Sequence, residues 1–120
     1  MVDNESQEMY LETILKLSVK KGNVRSVDVA EELGYSKPSV SRAVGIMKKD
    51  GHIVVRADGS IELTEGGRKK AENVLDRHKS LTAALVKMGL EQHAAEENAC
   101  RVEHVITEEA FEAIKKYFEV

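Results

Sequence analysis

The sequence predicts a mainly α-helical chain interrupted once by a short β ribbon. Three observations carry that prediction. Apolar residues recur at helical spacing through most of the 120 residues; two short alternating segments flank Ala57-Asp58-Gly59; and Gly22, Gly34, Gly51 and Gly89 stand at the ends of the periodic stretches. A chain of this length builds one modest core, or a small domain with a helical extension.

Taken in order, Met9, Leu11, Ile14, Leu15 and Leu17 place a first helix from Glu5 to Val19, stopped by Lys20-Lys21-Gly22-Asn23. Val24-Arg25-Ser26 forms an extended link, with Ser26 as N-cap of a short helix from Val27 to Leu33 that Gly34 closes. Ser36 caps a third helix, with Pro38, the single proline, in its first turn, where a missing N–H costs nothing. That helix runs to about Lys49, with Val40, Val44 and Met47 inward and Ser39, Ser41 and Arg42 outward, and Asp50-Gly51 ends it. His52–Arg56 and Ser60–Leu63 form a hairpin. Thr64 caps a long helix from Glu65 to Met88, and two short helices follow, His93–Val105 and Glu108–Phe118. This order is that of a winged helix-turn-helix, residues 1–72, followed by a helical domain, residues 73–120.

Composition narrows the function without naming it. The opening MVDNESQEMY lacks the basic and then apolar pattern of a secretory signal, and no apolar run approaches the roughly 18 residues of a membrane span. A cytoplasmic protein with no membrane partner is the expectation. One cysteine excludes an internal disulfide and leaves Cys100 as a small packed residue, a reactive thiol or a metal ligand. A net charge of −3 neither demands nor forbids a nucleic-acid partner, because a small regulator can gather its cations on one face.

The third helix is the candidate DNA reader. Ser36, Lys37, Ser39, Ser41 and Arg42 cluster at its N-terminus, where hydroxyls, cations and the helix dipole suit phosphates and base edges, and a helix fits the major groove. Arg56, on the wing, could approach a DNA backbone, but a lone surface arginine is more often simply solvated. A second cluster lies further on: Cys100, Glu103 and His104 at i, i+3 and i+4 would share one face of a helix. Thiolate, carboxylate and imidazole together suit a late first-row divalent ion such as Fe(II), Co(II), Ni(II) or Zn(II) better than calcium or magnesium. Further donors are Met9 and Glu12 on the first helix, His78 in the long helix, and Glu96 one turn before Cys100. Each, taken singly, also reads as an ordinary core or solvated residue.

On these residues the chain resembles, over nearly its whole length, the metal-dependent repressors of the diphtheria toxin repressor and manganese transport regulator family. Glu8-Met9-Tyr10-Leu11-Glu12-Thr13-Ile14 is similar to that family's first-helix motif, Pro38-Ser39-Val40-Ser41 to its recognition-helix start, and Leu63-Thr64-Glu65-Gly66-Gly67 to its post-wing segment. Arg77-His78 and Cys100-Arg101-Val102-Glu103-His104 are similar to its metal-binding segments. The resemblance implies that Met9, Cys100, Glu103 and His104 match the primary site of the iron-responsive branch, and that His78 matches a second-site ligand of both branches. Glu12 stands where the manganese branch has a carboxylate ligand and Glu96 where the iron branch has a histidine. Thr82 stands where the iron branch has a glutamate ligand, and the length is that of the two-domain manganese type, without an SH3-like third domain.

What the resemblance implies is a metal-activated transcriptional repressor with Fe(II) as first cofactor and Mn(II) as second, Co(II), Ni(II) or Zn(II) serving as surrogates. Its expected DNA contacts are Ser26, Tyr35, Ser36, Lys37, Pro38, Ser39, Ser41 and Arg42, on a palindromic operator held by a homodimer. Leu81, Leu85, Val86, Met88, Ile106, Phe111, Ile114 and Phe118 supply the apolar surface expected for that dimer. Without metal, Glu12, Glu103 and Glu96 are expected to repel one another. The competing reading is a winged-helix regulator that senses redox state through Cys100 or another ligand. An enzyme is not expected, because the chain has no nucleophile motif or glycine-rich phosphate loop.

Overall fold

The computed structural model describes residues 4–120, with side chains from residue 6. It contains six helices and two strands: α1 (Asn4–Lys21), α2 (Ser26–Leu33), α3 (Lys37–Lys49), β1 (Ile53–Val55), β2 (Ile61–Leu63), α4 (Glu65–Lys87), α5 (Gln92–Val102) and α6 (Glu108–Phe118). The chain divides into two compact units, Met1–Glu72 and Asn73–Val120.

In the first unit the helical apolar positions turn inward together. Leu11, Ile14, Val24, Val29, Val40, Met47 and Ile53 are essentially sealed from solvent, each at 1% exposure or less. Each such side chain contributes about 1.5 to 3 kcal/mol by leaving water. The strands pair antiparallel in the register Ile53↔Leu63, Val54↔Glu62, Val55↔Ile61. Ile53 and Ile61 point into the core, while Val54 and Glu62 face solvent, the alternation a one-sided ribbon requires. A third strand-like contact ties the link after α1 to this ribbon, with the Ile61 N–H donating to the Val24 carbonyl at 2.6 Å. At the hairpin tip, Gly59 adopts φ 87° and the Asp58 carboxylate accepts from the Ser60 hydroxyl and N–H at 2.7 and 2.9 Å. Those two donors hold the Asp58 carboxyl below the usual carboxylate range.

Local chemistry moves several expected boundaries. α1 runs through Lys20 and Lys21, whose charges suit a helix C-terminus, before Gly22 ends it at φ 86°. Arg25, not Ser26, is the N-cap of α2. Asp28, three residues on, reaches back to the Arg25 N–H at 2.9 Å and also binds Lys21, so Ser26 becomes the first helical residue. Both strands are three residues long, shorter than expected. For α3 the expected cap is present: the Ser36 hydroxyl accepts from the Ser39 N–H at 3.3 Å, and Pro38 occupies the first turn.

The joint between ribbon and α4 depends on one glycine. The Thr64 hydroxyl donates to the Gly51 carbonyl at 2.7 Å and accepts from the Gly67 N–H at 3.1 Å, pinning the start of α4 against the end of α3. Gly67 then lies so close to β1's entry that a methyl group there would collide with the His52 carbonyl, whereas Gly66 has only the Thr64 hydroxyl at 3.9 Å.

In the second unit, Leu81, Ala99 and Phe111 form a core, with Leu85, Ile106 and Ile114 packed around it. This corrects the expectation that Leu81 and Phe111 belong to a dimer surface. Their burial within the unit fills the space between α4, α5 and α6, and leaves Val86 of α4 and Met88, in the turn just after it, as exposed apolar positions. α5 stops at Val102, short of the expected Val105, and the chain turns after it, with the Val105 N–H donating to the Val102 carbonyl three residues back at 3.0 Å. The Thr107 hydroxyl then caps α6 through the Ala110 N–H.

The two adjacent glycines are predicted to behave oppositely. Gly67→Ala should destabilise the first unit by about 1 to 3 kcal/mol or more, since the obstacle is backbone that cannot turn aside. Gly66→Ala should be neutral or stabilising by up to about 1 kcal/mol, because it raises helix propensity in open space. Chemical denaturation of both variants checks the pair; equal effects would contradict the packing described.

Candidate metal centre and nucleic-acid interface

The second unit brings His78, Glu103 and His104 together. Glu103 is the C-cap residue of α5 and is wholly buried, at 0% exposure. Its Oε2 lies 2.8 Å from His78 Nδ1, across a sequence separation of 25, and its Oε1 lies 3.2 Å from His104 Nε2. Oε1 accepts no well-formed hydrogen bond from the described residues. Arg77 does not neutralise this carboxylate. Its guanidinium donates to the Glu103 backbone carbonyl at 3.1 Å and to the Glu108 carboxylate at 2.9 Å, and lies over the Phe111 ring at 5.7 Å from the centroid. Arg77 therefore fixes the main chain of the turn, and imidazoles face the acid.

Cys100 stands differently. The helix that was expected to align Cys100, Glu103 and His104 ends at Val102, and Cys100 is exposed while Glu103 is sealed. Glu96 is also exposed and accepts from Gln92 Nε2 at 2.9 Å. His78, Thr82, Val86, Gln92 and Glu96 line one cavity of about 530 Å³, so it holds two of the expected ligands, His78 and Glu96. Thr82, absent from the expected ligands, has its hydroxyl buried there without a hydrogen-bond partner among the described residues. Among the described residues no three His, Cys, Asp or Glu side chains are gathered tightly enough to hold an ion by themselves.

In the first unit Glu12 is buried on α1, with Oε1 3.3 Å from Lys16 Nζ one turn on. Met9 is half-buried on the same helix, and its sulfur accepts a hydrogen bond from the Tyr35 hydroxyl at 3.3 Å. The Tyr35 ring packs edge-on against Tyr10, with centroids 6.0 Å apart at 69°. Burial raises the Tyr10 phenol above its ordinary value, the neighbouring Tyr35 adds to the shift, and Arg42 opposes it.

Tyr35 also begins the candidate DNA reader. Tyr35, Ser36, Lys37, Pro38, Ser41 and Arg42 are exposed around the start of α3, with Ser39 half-buried among them. Ser36 donates to the Ser39 hydroxyl at 2.8 Å and Arg42 approaches the same oxygen at 3.5 Å, so one hydroxyl network links the cap to the first cation of the helix face. Ser26 stands outside this cluster, half-buried at the first position of α2. The Tyr35–Met9 bond was not legible in the sequence: the two residues are 26 apart, and no spacing rule couples them.

The donor chemistry suits a divalent metal. Imidazole and carboxylate are both ligands of first-row divalent ions.

Comparison with known proteins agrees with both halves of this description. Residues 4–61 match the model of the iron-dependent repressor N-terminal DNA-binding domain, and residues 64–120 that of the iron-dependent repressor metal-binding and dimerisation domain. The chain is 36% identical over 106 residues to the diphtheria toxin repressor of Corynebacterium diphtheriae, covering 88% of this chain and 47% of that protein. It thus spans about half the length of the diphtheria toxin repressors it matches. An uncharacterized HTH-type transcriptional regulator of Methanocaldococcus jannaschii is 31% identical over 119 residues, covering 97% of this chain and 94% of that one. Among solved structures, T. acidophilum IdeR superposes with a TM-score of 0.80 at 25% identity, over 94% of this chain and 54% of that one. With residues 4–61 and 64–120 matched in order by both family domains, and a relative aligned over 97% of this chain and 94% of its own length, this chain belongs to the iron-dependent repressor family.

Proposed function

We propose that this chain is a metal-activated DNA-binding transcriptional repressor of metal-homeostasis genes, acting in the cytoplasm as a homodimer on a palindromic operator. The observation that carries the reading is the wholly buried Glu103 carboxylate, faced by His78 and His104 and, among the described residues, in no ion pair with arginine or lysine. The proposed ligands are Met9, Glu12, Cys100, Glu103 and His104, with His78 and Glu96 serving a second ion. Residues 1–72 are the proposed DNA-binding domain and residues 73–120 the proposed metal-binding and dimerisation domain. Fe(II) is the favoured metal and Mn(II) the second, since Met9 and Cys100 are soft donors beside hard carboxylates; Co(II), Ni(II) and Zn(II) act as surrogates.

A bound divalent cation supplies the positive charge that the acidic donors lack and rewards one arrangement of them over others. The remaining work belongs to the chain. His78 holds Oε2 of Glu103, which leaves Oε1 turned toward His104. Arg77 clamps the Glu103 carbonyl, and the Thr107 cap sets where α6 begins, so the turn carrying Glu103 and His104 has little freedom. Ser36 caps α3 and orients its first N–H groups outward, where a phosphate is favoured. Lys37 and Arg42 then meet backbone phosphate and base edge. Metal dependence of DNA affinity is a population shift, and a hundredfold gain needs about 2.7 kcal/mol of differential metal affinity between the competent and incompetent ensembles.

The exposure of Cys100 favours one alternative, a thiol sensor on the same winged-helix frame. Such a protein would bind its operator equally in chelator and in metal, and respond to oxidant instead.

On the proposed reading, Glu103→Ala and His104→Ala should each retain helical circular dichroism yet hold operator affinity at its chelator level at every free metal concentration. A His104→Ala variant that needs the same free metal as the unaltered chain would remove His104 from the ligand set. A second prediction concerns the DNA face. Lys37→Ala should lower affinity evenly across sequences and reduce the salt slope by about one unit, whereas Arg42→Ala should relax one operator position at a cost of about 1 to 3 kcal/mol. Both variants should keep their metal affinity without DNA. If the double variant binds unchanged in affinity and salt slope, another surface reads the DNA.

A further inference from the structure

Met9 and Tyr35 join the proposed metal ligands to the proposed DNA reader inside one unit. The Tyr35 hydroxyl donates to the Met9 sulfur at 3.3 Å, and its ring is steadied by the buried Tyr10. Met9, Tyr35, Ser36 and Ser39 line a common cavity of about 450 Å³ beside the N-cap of α3. At 42% exposure, Tyr35 is open to solvent in the turn that leads into the recognition helix.

The chemistry of the thioether makes this contact conditional. A neutral thioether is a weak acceptor with two lone pairs, and giving one of them to a soft cation leaves the other poorer in electrons for a hydroxyl. Once sulfur donates to a cation, its electron density falls and the cation repels the hydroxyl proton. A phenol and a divalent metal are therefore competitors for one sulfur. A released phenol beside the start of α3 is a donor suited to a DNA phosphate, among the side chains that commonly make such contacts.

We propose that Tyr35 is a metal-sensitive latch: its hydroxyl rests on Met9 Sδ in the metal-free chain and is freed for a DNA phosphate when Met9 becomes a ligand. The proposal rests on the reading of Met9 as a metal ligand. It assigns Tyr35 a positioning role in the metal-free state and a contact role in the DNA complex, linked by one hydrogen bond. Tyr35→Phe isolates that bond, because it keeps the ring against Tyr10 and deletes only the hydroxyl.

The test uses the full chain with its methionine methyls labelled with carbon-13, Zn(II) as a diamagnetic probe, and a duplex selected by the metal-loaded protein. Without metal, the Met9 methyl resonance should differ between the unaltered chain and Tyr35→Phe; with Zn(II) the two should converge. Tyr35→Phe should bind Zn(II) about two- to fivefold more tightly, having lost a competitor, and its metal-loaded form should bind the duplex about two- to tenfold more weakly. A merely structural tyrosine would not move metal and DNA affinity in opposite directions. Unchanged Zn(II) and duplex affinities in Tyr35→Phe overturn the latch. So does a Met9 resonance indifferent to Zn(II) in a chain whose DNA binding still requires metal, which leaves the repressor reading standing. Equal duplex binding in chelator and metal overturns that reading and the latch with it.

Discussion

The placement of one carboxylate organises the second unit. Glu103 is sealed at the end of α5, and the groups facing its oxygens are imidazoles, while the nearby guanidinium of Arg77 is spent on the backbone carbonyl and on Glu108. Among the described residues Oε2 lies 2.8 Å from His78 Nδ1, while Oε1 accepts no well-formed hydrogen bond. On the proposed reading this carboxylate is a metal ligand, and residues 64–120, which include it, match a metal-binding and dimerisation domain.

In its first unit this acidic chain gathers exposed cations at the start of one helix. Its net charge is −3, yet Lys37 and Arg42 stand exposed at the start of α3 beside a capped helix terminus. Affinity for a polyanion depends on this local field and on the oriented N–H groups rather than on the total charge. The reader is held in place by short-range packing: Val40 and Met47 anchor α3 in the core, and Thr64 bridges its end to α4 through Gly51 and Gly67. Rigidity at both ends of α3 lets the single Tyr35–Met9 contact at its entrance matter.

Much of this was legible in the sequence where the determinants are local. Helical period and capping chemistry placed α3 within a residue, because Ser36 and Pro38 act on their immediate neighbours. The hairpin followed from alternation and Gly59. Boundaries failed where a nearby side chain outcompeted the expected one, as when Asp28 reached back to Arg25 and displaced Ser26 from the cap. The site was legible as a list of donors but not as an arrangement. The spacing of Cys100, Glu103 and His104 describes one helix face only if the helix continues, and it stops at Val102, leaving Cys100 exposed and Glu103 buried. The pairing of His78 with Glu103, the Tyr35–Met9 bond and the close approach of Gly67 to His52 depend on tertiary packing that no periodicity encodes.

The central claim is that occupation of these donors by a divalent metal switches DNA binding. Its most direct test is the affinity of the full chain for a selected duplex, measured anaerobically at controlled free concentrations of Fe(II) and Mn(II) and after addition of chelator. The account predicts specific binding that vanishes in chelator, returns on adding metal, and requires less free Fe(II) than Mn(II). Equal affinity in chelator and in saturating metal would contradict it.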